Sequence, residues 1–307
     1  MIKINKLRTF FFNLKKPIKK LSFLLILVFS QFLFSQDKQE YFGALKLNDS
    51  VAIPYKIIFE VQGDSLSGYS VTDFGGDHET KSNIKGLYNK DEKTISFYEE
   101  GIVFTKSTFI ENDFCFVHVE STKFKLDRTK SFKTNFYGKF SDGTKCIDGE
   151  IFLNEVERVE KAITKISRKV ERTKKIDEDL KEKFRNTNIM DSLKLNILKK
   201  DQTTTFFTEN DYVELSLYDS WEVDGDIISV KKDNLYVLKS YNCKKEKKTL
   251  KLDLKNQVTR LVIKSESVGL MGLNTTRIEI NDFKGNEIDA ITELDKDQVT
   301  LLNIVKL

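Results

Sequence analysis

Apolar positions in the first half of this chain recur mostly at a spacing of two. Ile53–Val61, Lys93–Tyr98 and Phe114–Val119 are short runs rich in β-branched and aromatic residues, the pattern of half-buried strands. Turn signals separate them: Gln62-Gly63-Asp64, Phe74-Gly75-Gly76-Asp77, Asn89-Lys90-Asp91, Glu111-Asn112-Asp113 and Ser141-Asp142-Gly143. Large apolar residues fall close to Gly43, Gly68, Gly86, Gly138 and Gly149. A glycine inside a strand marks a bend or a close approach, so this echo predicts an antiparallel meander that curls toward a barrel. An open sheet packed on the following helix is the alternative.

The period changes after Leu153. Val156, Val159, Ile163, Ile166 and Val170 are spaced by three and four, which puts them on one face of a helix. Ile176, Leu180 and Phe184 continue after a slip, Asn186–Asn188 interrupts, and Asp191 is placed to cap a short second helix. The apolar stripe either lies on the chain's own sheet or pairs two copies into a homodimer. Strand patterns then return in Tyr212–Tyr218, Ile227–Val230, Leu235–Leu238, Thr249–Leu254, Arg260–Ile263, Thr276–Ile280, Glu287–Ile291 and Val299–Val305. That density of short strands predicts a β-sandwich. The expected fold is therefore mainly β with a helical segment: a curled, barrel-like N-terminal meander and a C-terminal β-sandwich. The boundaries are 36–153 for the meander, 154–200 for an amphipathic helical connector and 201–307 for the sandwich.

Residues 1–35 do not belong to that plan. Lys3, Lys6, Arg8, Lys15, Lys16, Lys19 and Lys20 precede an apolar run from Leu21 to Phe34, and no acid occurs before Asp37. This is the layout of a secretory signal peptide, with cleavage expected after Ser35. The apolar run is shorter than the roughly 20 residues a spanning helix needs, so no integral membrane segment is expected after cleavage. No cysteine lies near the cut to carry a lipid. Export also changes the charge. The whole chain has 51 Lys and Arg against 47 Asp and Glu, and removing those seven bases leaves 44 against 47, a net of −3. A slightly acidic exported protein gives no electrostatic case for nucleic acid. The expected location is the periplasm, the cell surface or the exterior.

Few residues carry recognisable chemistry. With two histidines, His78 and His118, and three cysteines, neither a zinc site nor a histidine triad has much material. An oxidising compartment permits one bridge, and Cys115–Cys146 is the pair within one predicted domain; three separate thiols is the alternative. Asp219, Asp224 and Asp226 cluster on a turn and could ligate Ca²⁺ through hard oxygens, or the Asp-Gly step could simply build a hairpin. Trp221, the single tryptophan, lies among those acids and is a candidate binding platform. His78, after Gly75-Gly76, is a candidate at a barrel mouth. His118 sits in an alternating strand and reads as structural. Glu99, Glu100 and Asp73 are the acids a hidden glycoside hydrolase would draw on.

The run from Asp219 through Asp224-Gly225-Asp226 to Asn234, followed by Ser265, Gly269 and Asn274-Thr275-Thr276, resembles a domain recurring in uncharacterised secreted proteins of Bacteroidota-type bacteria. The signal ending Phe34-Ser35-Gln36 is similar to that group's exports. Ser220-Trp221, Ser267 and Met271-Gly272-Leu273 depart from the pattern. The resemblance implies a β-sandwich and no activity. The functional expectation is an exported, non-enzymatic binding or interaction protein of the cell envelope, with an envelope protein or glycan as partner. The alternatives are a carrier of a small apolar ligand inside the N-terminal β domain and a carboxylate-dependent hydrolase.

Overall fold

The computed structural model describes residues 38–47, 51–108, 113–173, 177–178, 181, 196–220, 223–270 and 272–307. The expected signal peptide, Ile176, Leu180, Phe184 and the expected second helix lie outside them. Lys38–Leu307 forms one compact unit.

Eight antiparallel strands open that unit: β1 (Gln39–Lys46), β2 (Ala52–Gln62), β3 (Ser65–Thr72), β4 (Thr80–Asn89), β5 (Thr94–Thr105), β6 (Phe116–Lys123), β7 (Ser131–Lys139) and β8 (Lys145–Glu155). Each pairs with the next in sequence. β8 pairs back onto β1, with Gly43 opposite Leu153, so the meander closes into a barrel and leaves no free edge. Alternation directs Tyr55, Ile57 and Phe59 of β2, Ile95 and Phe97 of β5, and Ile151 and Leu153 of β8 into one buried core. After β6 the chain dips inward at Phe124. Its ring meets Tyr41, Phe59 and Phe132 at centroid distances of 5.8, 5.9 and 5.7 Å, while Tyr41 Oη donates to Thr129 O at 2.7 Å. Aromatic rings thus fill this barrel.

A helix, α1 (Val156–Arg172), follows β8 directly. None of its residues is buried, and Ile166 is 54% exposed. Within 154–200, expected to be a helical connector, α1 ends at Arg172, Glu178 and Lys181 are again helical, and Asn196–Lys199 form a strand. Four residues are too few for alternation to be legible, and a partner strand makes this one.

Among the described residues, ten strands build the second half: β9 (Asn196–Lys199), β10 (Thr203–Thr208), β11 (Tyr212–Tyr218), β12 (Asp226–Lys232), β13 (Leu235–Asn242), β14 (Lys248–Asp253), β15 (Val258–Val268), β16 (Arg277–Asn281), β17 (Glu287–Glu293) and β18 (Val299–Lys306). One layer runs β13-β12-β15-β18-β10 and the other β14-β11-β16-β17-β9. Pairing is antiparallel except for β10 on β18 and β9 on β17. Val213, Leu215 and Leu217 of one layer share a core with Ile228, Val230, Leu261, Ile263, Leu302 and Ile304 of the other, as a sandwich requires.

Strand β5 serves both halves. A register shift against β4 coincides with Gly101 at φ 64°, a left-handed conformation that glycine adopts without strain. Beyond it, Phe104 and Thr105 pair with Phe206 and Thr205 of β10, so a single 13-stranded sheet runs from barrel to sandwich. Buried polar contacts hold the junction. Lys106 Nζ donates to Glu79 Oε2 (3.1 Å) and Ile197 O (3.0 Å), and Lys81 Nζ donates to Glu287 O (3.1 Å).

Candidate metal centre

Three carboxylates meet at one end of the sandwich. Asp219 follows β11, and its N–H donates to Lys244 O at 2.8 Å. Asp224 and Gly225 lie in the connection to β12, with Gly225 at φ 105°, and Asp226 is the first residue of β12. One carboxylate oxygen from each acid lies within 4.8 Å of the others. Asp219 is 2% exposed and Asp226 1%, while Asp224 is half-buried.

The loop between β15 and β16 closes over them. Leu270 N–H donates to Asp224 Oδ2 at 2.9 Å, and Thr275 N–H donates to Asp226 Oδ2 at 2.7 Å. Gly269 has φ 57°, and a Cβ there would stand 2.3 to 2.5 Å from the Asp224 carboxylate, so glycine alone lets the acid come this close. Buried Asn274 pins the loop: its Nδ2 donates to Ser267 O (2.9 Å), and its Oδ1 accepts from Thr276 Oγ1 (2.9 Å) and Thr292 Oγ1 (3.1 Å). The Asp219–Asp226 and Ser265–Thr276 stretches, which carried the sequence resemblance, thus pack on one another around the acids.

The electrostatics are those of crowded anions. Burial first, then the Asp224 and Asp219 charges, push the Asp226 carboxyl up to about 6, against the Thr275 N–H that stabilises the anion. Asp226 Oδ1 is sealed from solvent and has no hydrogen-bond partner, and the same holds for Ser220 Oγ, beside Asp219 in the chain. The Cys243 thiol is also near. Burial and the Asp226 and Asp219 charges raise it to about 12, and it contacts Thr276 Oγ1 at 3.1 Å, so it is no ready thiolate. Oxygen donors of this kind suit a hard cation rather than zinc.

The other sequence candidates fall elsewhere. Trp221 lies outside the described residues. His78 is exposed in the β3–β4 loop, where its N–H donates to Asp73 Oδ2 at 3.0 Å. His118 is half-buried between Tyr98 and Tyr137, with ring centroids at 5.7 and 5.3 Å, and its Nδ1 bonds Phe116 O. Glu100 is paired with Lys85. Glu99 points into the barrel, where Oε1 accepts from Tyr55 Oη (3.0 Å) and Ser70 Oγ (2.6 Å), and Oε2 accepts from Val117 N–H (2.7 Å). Cys115 and Cys146 are joined by a disulfide, with Cα atoms 6.0 Å apart.

Sequence reasoning missed the roles of Ser220, Leu270 and Thr275, and the buried Lys106–Glu79 pair. Backbone donors such as Leu270 N–H carry no residue-type signal. The Gly269-to-Asn274 stretch was legible only as a pattern. Compared with models of protein families, with curated proteins and with solved structures, the chain matches none.

Proposed function

We propose that this chain is an exported, non-enzymatic binding protein of the cell envelope, acting through the loop end of its sandwich. The observation that carries this reading is a set of apolar side chains held in water around the acid cluster. Leu270 is 90% exposed, Val223 50% and Leu273 38%. Leu270 is not a fraying end, because its own N–H is bonded to Asp224. Apolar tips on a pinned loop beside a charged centre are a surface arranged for a partner.

The signal-like leader supports export, as does the Cys115–Cys146 bridge, since structural disulfides persist in oxidising compartments. Among the described residues, no helix is long and apolar enough to cross a membrane. The buried reactive groups are committed elsewhere: Glu99 to three donors, Cys243 as a thiol. A carrier of apolar ligands would need room in the barrel, and rings fill the space that a ligand would take. An envelope protein or glycan is the partner class in view, and homodimerisation through α1 plays no part in this reading.

The test is capture from an envelope fraction with the mature chain as bait, in wild-type and Leu270→Asp forms. Wild type should retain a partner that the variant loses, while both melt at the same temperature. Equal capture by both forms, or none by either, would count against the proposal.

A further inference from the structure

We infer that Asp219, Asp224 and Asp226 form a binding site for one hard divalent cation of the calcium class. A cluster of acids alone would not carry this, because exposed carboxylates often gather without an ion. Two of these three are buried, which changes the balance. Burying an anion is costly unless it is paired, hydrogen-bonded or neutralised. Asp226 Oδ1 meets none of the hydrogen-bonding need, although Oδ2 of the same carboxylate is satisfied by Thr275. Ser220 Oγ is a second sealed oxygen without a partner at the same turn. A sealed carboxylate with one unsatisfied oxygen, in a group of three acids that each place a carboxylate oxygen within 4.8 Å of the others, has the geometry to ligate a cation.

The donor chemistry selects the class. All the candidate donors are oxygens, one following β11, one in the connection and one at the start of β12. Ca²⁺ accepts six to eight oxygens in flexible geometry, whereas Mg²⁺ demands a near-ideal octahedron. The surrounding loop is already braced for such a load. Leu270 and Thr275 N–H groups hold one oxygen each of Asp224 and Asp226, Gly269 makes room for Asp224, and Asn274 ties the loop to Ser267 O. Hydrogen-bonded ligating carboxylates are the usual support of metal centres. This inference concerns the isolated chain and stands whether or not the loops bind an envelope partner.

The experiment is calorimetric titration of Ca²⁺ into the mature, chelator-treated protein, with thermal melts alongside. Trp221 lies between Asp219 and Asp224 in sequence, so its emission offers a second readout. One saturable site and a higher melting temperature are expected. Asp226→Asn and the less buried Asp224→Asn should each weaken binding by at least about 10-fold. Metal-free Asp226→Asn should melt at or above the metal-free wild type, because the substitution removes repulsion. Three results would overturn the inference. One is no heat and no shift up to about 10 mM Ca²⁺, beyond the range of weak exported sites. Another is undiminished binding in both variants. The third is preferred Zn²⁺ binding that survives Asp226→Asn and is lost in Cys243→Ser.

Discussion

Single residues set the sharpest constraints here, and Glu99 is the clearest. Burial raises its carboxyl above the ordinary range, while hydrogen bonds from Ser70, Val117 N–H and Tyr55 pull it back. It stands where β5 leaves β6, and Val117 N–H would otherwise be an orphan at that parting. Glu99→Ala should therefore cost about 2–4 kcal/mol in denaturant unfolding, because three buried donors lose their acceptor. Tyr55→Phe, which removes one donor and leaves Glu99 its others, should cost about 1 kcal/mol. Lys81 provides a pH test. Burial holds its amine down at about 8, against an ordinary 10.5, with Glu287 and Asp289 opposing. Between those values the unfolded chain binds the extra proton, so folding stability contributed by this site rises with pH. The stability of wild type relative to Lys81→Met should grow by up to about 3 kcal/mol from pH 7.5 to 10.5. A flat difference would show that the amine is not desolvated. None of this was legible in sequence: Glu99 and Lys81 look like ordinary strand charges, and only closure of the barrel and its junction with the sandwich buries them.

Elements were more readable than residues. The period-two runs located most strands, because alternation reports which face meets a core. The glycine echo pointed to curling, and Gly138 shows one physical cause. A Cβ there would stand 2.3 Å from Cys115 Sγ and 2.9 Å from Cys146 Sγ, so the bridge crosses β7 where a side chain is missing. Removing it with Cys115→Ser and Cys146→Ser should lower stability by about 2–4 kcal/mol, measured against the oxidised wild type. β9 and β10 escaped notice, since both take their identity from parallel partners distant in sequence. The stripe on α1 is helical, as its spacing implies, yet none of its residues is buried. Phe124→Ala should cost about 3–5 kcal/mol, as for other deeply buried rings, whereas Ile166→Ala should cost under about 1 kcal/mol. Comparable losses at the two positions would mean that α1 is covered in solution.

At the scale of the whole molecule, two hydrophobic cores share one continuous sheet through β5. Barrel and sandwich were both foreseeable from local pattern, but the sharing was not, because it depends on a bend at Gly101 and on a contact between residues about a hundred positions apart. The acid cluster was visible as a sequence feature. Its contacts with the β15–β16 loop were not, since Thr275 reaches Asp226 from 49 positions downstream. The sandwich's loop end is the proposed binding surface. Hydrogen–deuterium exchange of the mature chain, with and without the partner captured from the envelope, tests it most directly. New protection is expected in segments 219–226 and 268–275, with the barrel strands unchanged. Protection confined to α1 or to the β3–β4 loop around His78 would contradict it.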